Sequence, residues 1–263
     1  MPPYDYMGKT ALVTGASSGI GKVFAGRLAD RGVRRLILVA RREGALREVG
    51  DRLGVPHVEV IAQDLAVPGA WRQVVDTVGA DSVDVLVNNA GFATYGRLER
   101  QHSAVVAEEV ELNCATLVGL TKAFLPGMQY RRDGVIVNVS STAGFQPLPY
   151  MSVYGATKAF VLSFSEALSA ENRSLGVCVL ALCPGATETA FFDRVGTSEA
   201  SVGARQRPEE VVEVALRAVD RRRAVVVSGA RNAILATASR LAPRRFTVLT
   251  AKLTMQPRDA AER

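Results

Sequence analysis

The sequence predicts an α/β fold: a doubly wound, seven-stranded parallel sheet with helices on both faces. Three observations predict it. Seven apolar runs alternate with helical patterns along 263 residues, the order that β-α-β units impose. The inner runs, VLVN, VIVNV and VCVLAL, carry apolar side chains on both faces, as strands covered by helices on each side must. A glycine-spaced octet, TGASSGIG from Thr14 to Gly21, lies between the first run and the first amphipathic segment. A glycine cluster at a strand-to-helix junction is a phosphate-binding turn.

The first strand covers 10–14, and the octet turns it into a helix over 21–31. Gly15 permits the tight turn, Gly19 lets backbone N–H groups approach a pyrophosphate, and Gly21 lets helix and sheet pack closely. Ser17, Ser18 and Ile20 fill the same turn. A second strand over 35–40 leads into Arg41, Arg42 and a helix over 42–53. An acid near this point would bind a ribose 2′-hydroxyl, whereas arginine accommodates a 2′-phosphate. No Asp or Glu stands between Asp30 and Glu43, so NADP(H) is the expected cofactor.

The third strand, 57–63, ends at Asp64-Leu65, where Asp64 either holds an adenine amino group or caps the helix over 68–79. The fourth, 83–88, ends in Asn88-Asn89-Ala90-Gly91, a pattern suited to one wall of the cleft. A long helix covers 102–126, a strand 135–140, a helix 154–173 and a strand 177–183. The stretch 186–207 is the longest without a clear period and reads as a lid. Pro208-Glu209-Glu210 opens a helix over 208–220, and 224–228 is the last strand. Beyond 229, Ile234/Ala238/Leu241 and Phe246/Leu249/Leu253 mark two short amphipathic helices separated by Pro243. The expected organisation is one catalytic domain over 1–229 and a basic amphipathic extension over 230–263.

Charge supports that division. The net charge is +6, yet residues 1–220 hold 22 basic and 24 acidic side chains, and 221–263 hold 10 and 2. The basic excess belongs to the tail, so nucleic-acid binding by the body gains no support. Cys114, Cys178 and Cys183 lack metal spacing and read as small core residues of a reducing compartment. With no apolar core of signal-peptide length in MPPYDYMGK and no run of membrane-spanning length, a soluble cytoplasmic protein is expected.

The catalytic candidates are Tyr154 and Lys158. Their spacing of four puts both on one helical face. With 6 tyrosines and 5 lysines in the chain, such a pair arises by chance roughly 0.1 times. A free tyrosine is a poor acid–base at neutral pH, and a neighbouring ammonium is expected to lower its pKa. Ser141 follows a buried strand thirteen residues earlier. Its hydroxyl either holds a carbonyl oxygen at the same strand end or serves the turn.

Together these elements resemble the short-chain dehydrogenase/reductase family, in its single-domain branch with a Rossmann fold. The resemblance runs from about Gly8 to Val227. It rests on TGASSGIG at 14–21, Asp64, NNAG at 88–91, Asn113, the serines at 140–141, YGATK at 154–158, and Pro184-Gly185 followed by Thr187 and Thr189. It implies Tyr154 as proton donor to a ketone or acceptor from an alcohol. Lys158 would bind the nicotinamide ribose and Ser141 would orient the substrate. Asn113 would hold a relay water, and Thr189 would contact the nicotinamide carboxamide. It also implies a homodimer or homotetramer, expected through the helices over 102–126 and 154–173, with Phe160, Phe164 and Leu168 as an apolar stripe or as sheet-facing core.

Phe92, Phe145, Leu148, Tyr150, Met151, Phe191 and Phe192 come from three strand-end loops and are almost wholly apolar. Such a rim suits a small apolar ketone or alcohol. Only Arg97 and Arg194 stand near enough to anchor a substrate carboxylate. Two other readings remain beside a reductase of this kind. A non-catalytic NADPH-binding scaffold would be expected to lack Tyr154, Lys158 or Ser141, and all three are present. A membrane-surface reductase acting on lipid-like ketones would use the tail, where nine basic residues and no acid lie between Asp220 and Asp259. Packing of the tail on a partner subunit or over the pocket is the alternative to that contact.

Overall fold

Alternate residues of each strand feed opposite faces of one sheet, and both faces are buried. The computed structural model describes residues 2–191 and 205–256. Seven parallel strands, β1 (Thr10–Thr14), β2 (Arg35–Ala40), β3 (His57–Ala62), β4 (Val85–Asn88), β5 (Gly134–Val139), β6 (Val177–Cys183) and β7 (Val225–Val227), lie in the order β3-β2-β1-β4-β5-β6-β7. On one face Val13, Leu38, Val87 and Val137 pack against Phe24 and Leu28 of α1 (Gly19–Asp30) and Val212 and Leu216 of α7 (Pro208–Asp220). On the other, Leu12, Ile37, Leu86 and Ile136 meet Val74 of α3 (Trp71–Val78), Phe124 of α5 (Leu117–Arg131) and Leu168 of α6 (Ser152–Asn172). This two-sided burial is why the inner strands read as unbroken apolar runs. The helix α2 (Glu43–Gly50) adds Leu46 and Val49 to the first face.

All seven expected strands are present, with ends shifted by one or two residues. β4 starts at Val85, and just before it the Asp84 carboxylate accepts the Thr10 N–H at 2.9 Å. The expected helix over 102–126 is three segments. α4 (Ser103–Val110) passes through a π turn, Glu111–Thr116, into α5, which continues through Pro126 to Arg131. The tail forms α8 (Ala230–Leu241) and α9 (Arg244–Met255), with Pro243 between them.

Strand order places the site. The chain builds outward from β1 through β2 to β3, then returns to pair β4 with the other edge of β1. Connections therefore diverge above β1 and β4, and ligand clefts of such sheets open at that switch point.

Candidate active site

The cleft of about 920 Å³ opens above β1 and β4. At its floor Gly15 and Gly19 adopt φ +65° and +54°, which side chains resist. A Cβ on Gly21 would strike the Gly15 carbonyl and Asn89. Ser18 is extended and its side chain makes no capping bond to α1. The first N–H groups of that helix are thus left for an anion. Thr14, which the sequence reading passed over, locks this floor. Its hydroxyl accepts the Asn89 and Ala90 N–H groups, both at 3.0 Å, while Asn89 Nδ2 donates to the Thr14 carbonyl at 2.9 Å.

The rest of the nucleotide side is built from strand ends. Ser17 and Ile20 line it beside Arg41, Arg42, Asp64 and Leu65. Both arginines are exposed on the rim. The nearest acid, Glu43, is held by Arg47 at 2.6 Å. Asp64 Oδ1 accepts the Ala66 N–H at 3.0 Å, so it braces its own turn while facing the cleft. Ala90, Gly91, Pro184, Gly185, Thr187 and Thr189 line the opposite wall. The two asparagines part company. Asn89 holds the glycine turn, whereas Asn88 is buried and bonds Asn138 at 2.9 Å and Thr121 at 3.0 Å beneath the sheet end.

The reactive end forms where β5 and α6 meet. Lys158 is buried, and its Nζ donates to the Val139 carbonyl at 2.8 Å, 5.7 Å from the Tyr154 ring centre. Ser140 Oγ holds the Lys158 carbonyl at 2.7 Å. Asn113, buried in the π turn, donates to the Phe92 carbonyl at 2.9 Å and to Thr157 Oγ1 at 3.1 Å. π turns concentrate at functional sites because the extra residue re-aims a side chain. Ser141 Oγ accepts the Ala143 N–H at 3.1 Å in its own turn; its hydroxyl also favours the ionised form of Tyr154, but burial dominates and pushes the phenol up to about 12. Burial likewise pushes the Lys158 ammonium down to about 8. The expected lowering of the tyrosine pKa by lysine is therefore not seen. The ammonium is turned to Val139, and desolvation is the larger effect.

The apolar rim differs from the sequence reading in part. Phe92, Leu148, Met151 and Phe191 line the cleft around Tyr154, with Phe191 5.5 Å from its ring. Phe145 does not. It packs on Leu162 and Cys183, under the Arg240 guanidinium at 4.9 Å. Tyr150 lies behind the rim, packed with Ala93, Met151 and Met255, and holds φ +64° while its carbonyl accepts the Gly96 N–H at 2.8 Å. Such strain in a non-glycine residue persists where its surroundings over-determine it. Arg97 is exposed, 3.5 Å from Glu99, and is not among the cleft residues. Phe192 and Arg194 lie outside the described residues. The tail supplies further cleft residues: Asn232, Leu235, Ala236 and Ser239 of α8 and Thr254 and Met255 of α9. Tyr95 Oη clamps the Met255 carbonyl at 3.0 Å.

A sequence profile described as short chain dehydrogenase matches residues 9–200. Among curated relatives, rat very-long-chain 3-oxoacyl-CoA reductase is 33% identical over 185 residues, 68% of this chain and 59% of that protein. Rat 17-beta-hydroxysteroid dehydrogenase type 3 is 32% identical over 199 residues, 73% and 64% of the two chains. The chain thus spans about six-tenths of the length of the curated relatives it matches. A short-chain dehydrogenase from Sphingobium yanoikuyae in complex with NADPH superposes with TM-score 0.80 at 34% identity, over 96% of this chain and 97% of that one. The bulky-bulky ketone specific alcohol dehydrogenase from Comamonas testosteroni gives 0.74 at 31%, over 96% of each. The chain belongs to the short-chain dehydrogenase/reductase family.

Proposed function

We propose that the protein is an NADP(H)-dependent carbonyl reductase, or alcohol dehydrogenase in reverse, acting on an apolar ketone or secondary alcohol. One observation carries the reading: Ser141, Tyr154, Lys158 and Asn113 converge at the apolar end of a cleft whose other end is a glycine-built anion cradle rimmed by Arg41 and Arg42. The cradle fits a pyrophosphate because the Gly21 position leaves no room for a side chain and the start of α1 is uncapped. The arginines fit a 2′-phosphate by charge-assisted bonds. The Sphingobium relative, of nearly the same length, is described with NADPH, which supports the choice.

NADPH supplies the hydride when bound. The chain supplies the proton and the geometry. Tyr154 is partly accessible from the cleft and protonated at neutral pH, so its hydroxyl donates to a carbonyl oxygen that gains charge. Ser141, which lines the cleft with Tyr154, orients the substrate oxygen. Lys158 puts a positive charge beside the tyrosine and offers N–H groups to ribose hydroxyls. Asn113 ties the π turn to the Phe92 strand end and to Thr157 of α6, holding the two sides of the reactive centre together.

The substrate reading rests on Phe92, Leu148, Met151, Phe191 and Met255, an apolar wall around Tyr154. The ketone-specific and oxoacyl-CoA relatives act, by their names, on large carbonyl compounds, which favours an aryl, fatty or polycyclic substrate. NADPH consumption across ketones graded in apolar size tests it. kcat/KM is expected to rise with size, and a preference for small carboxylated ketones overturns the substrate reading. We also propose self-association through the groove of Val110, Cys114, Ala156 and Phe160 between α4 and α6.

A further inference from the structure

The helix α9 is worn apolar side out. Thr247, Ala251 and Met255 recur at spacing four and are buried against the body. Phe246, Leu249 and Leu253 recur at i, i+3 and i+7, roughly opposite that face at about 100° per residue. They are 61%, 55% and 68% exposed. The neighbouring helix repeats the pattern. Asn232, Leu235, Ala236 and Ser239 of α8 face the cleft, while Ile234 and Leu241, on the far side, are 69% and 83% exposed. Solvated helices have no use for three large apolar groups on the outer side of α9 and two on that of α8.

Charge selects the occupant. Arg231, Arg244, Arg245 and Lys252 are exposed on the same two helices, and the sequence has no acid between Asp220 and Asp259. Among the described residues, Arg240 is the cation of these helices tied to the body, through Glu166 at 3.5 Å and the Phe145 ring. Two copies joined symmetrically through this face would set cations against cations. An apolar stripe flanked by arginine and lysine instead matches the boundary between headgroups and acyl chains of an anionic bilayer. Each helix has 12 residues, too short to span one.

We propose that the outer face of α8 and α9 is a peripheral docking surface for anionic lipid bilayers, with Phe246, Leu249 and Leu253 inserted and Arg244, Arg245 and Lys252 at headgroup level. Docked this way, the cleft lies one helix thickness, about 10 Å, from the lipid. On the reductase reading above, this would let lipid-like ketones reach Leu235 and Met255 without crossing bulk water. The docking itself does not depend on that reading.

The test is co-sedimentation of the full chain with vesicles of phosphatidylcholine containing phosphatidylglycerol, and with pure phosphatidylcholine vesicles, at low and high salt. Light scattering of the free protein runs in parallel. Phe246, Leu249 and Leu253 are outside the cleft, so L249S/L253S should keep its circular dichroism and NADPH affinity. The expected result is binding to anionic vesicles that weakens at least about fivefold at high salt, and about tenfold or more in L249S/L253S or in R244Q/R245Q. Equal binding to both vesicle types, no binding, or full binding by the variants overturns the proposal. A smaller particle for L249S/L253S without vesicle binding overturns it in favour of a second copy. Because no substrate is added, failure here leaves the reductase reading untouched, and lack of turnover leaves this one untouched.

Discussion

Tyr154 and Lys158 sit one turn apart on α6, and burial moves their pKa values apart, the phenol up and the ammonium down. The pair was legible because a Tyr-x-x-x-Lys after a strand-end serine is rare. The direction of the tyrosine shift was not, since it depends on how much water the fold removes. Two outcomes follow from the shifts. Tyr154→Phe should leave NADPH affinity near wild type and lower turnover by about 10²–10⁴-fold, the worth of general acid catalysis. Lys158 keeps its proton below about pH 8 and loses it above, so the charge proposed to hold the dinucleotide fades there. The KM for NADPH should be flat below that pH and rise above it, as initial rates from pH 6 to 10 would show. The same depressed pKa means that the unfolded chain binds a proton more tightly than the fold does. Folding is therefore penalised below about pH 8, and the penalty is relieved as pH rises toward the ordinary lysine value of 10.5. Lys158→Met, which removes that penalty, should melt no lower than wild type at pH 7 in calorimetry, while binding and turnover both fall.

The strands were legible as elements because period and composition decide them, and the glycine turn because few backbones other than a phosphate loop need its spacing. Side-chain direction within an apolar segment was less so. On α6, Leu168 joins the sheet-facing core, Phe164 packs partly against it, and Phe160 is exposed and stacks on Phe164 at 6.0 Å. The stripe is thus divided between core and surface. Phe160→Glu should shift the particle to a smaller mass by light scattering with little loss of melting temperature; an unchanged mass removes this face from the assembly. After β2, the missing acid singles out Arg41 and Arg42, which the structure leaves exposed on the cleft rim. Arg41→Ala/Arg42→Ala should erase most of the NADPH preference, with NADH affinity changed little in titration. Equal affinity of the wild type for both cofactors would contradict the assignment. In the tail, helical spacing marks Ile234, Leu241, Phe246, Leu249 and Leu253 as apolar faces, and these are exposed; the face turned to the body is Ala236, Thr247, Ala251 and Met255. Both sets satisfy a helical period, and small residues pack closest to the body, so periodicity alone could not choose.

Over the whole molecule, a body of nearly balanced charge carries a strongly basic tail whose residues line the cleft beside Tyr154. The cleft elements from Thr14 to Thr189 all precede the tail; on the glycine-rich side Asn232 of α8 packs at Gly185, and at the other end Met255 of α9 packs with Tyr154 and Phe191. Ending the chain at Gly229 should therefore raise the substrate KM, with NADPH affinity changed by less than about tenfold, or roughly 1.4 kcal/mol. A collapse of NADPH binding in a folded truncated protein would assign the tail to the cofactor site. The claim on which all of this rests is that the chain delivers a proton from Tyr154 to a ketone oxygen at an NADPH site. The most direct measurement is NADPH oxidation with a bulky apolar ketone, by wild type and by a Tyr154→Phe protein shown by titration to bind NADPH. The account predicts ketone-dependent oxidation by the wild type and a loss of about 10²-fold or more in the variant; turnover by Tyr154→Phe within a few-fold of wild type would contradict it.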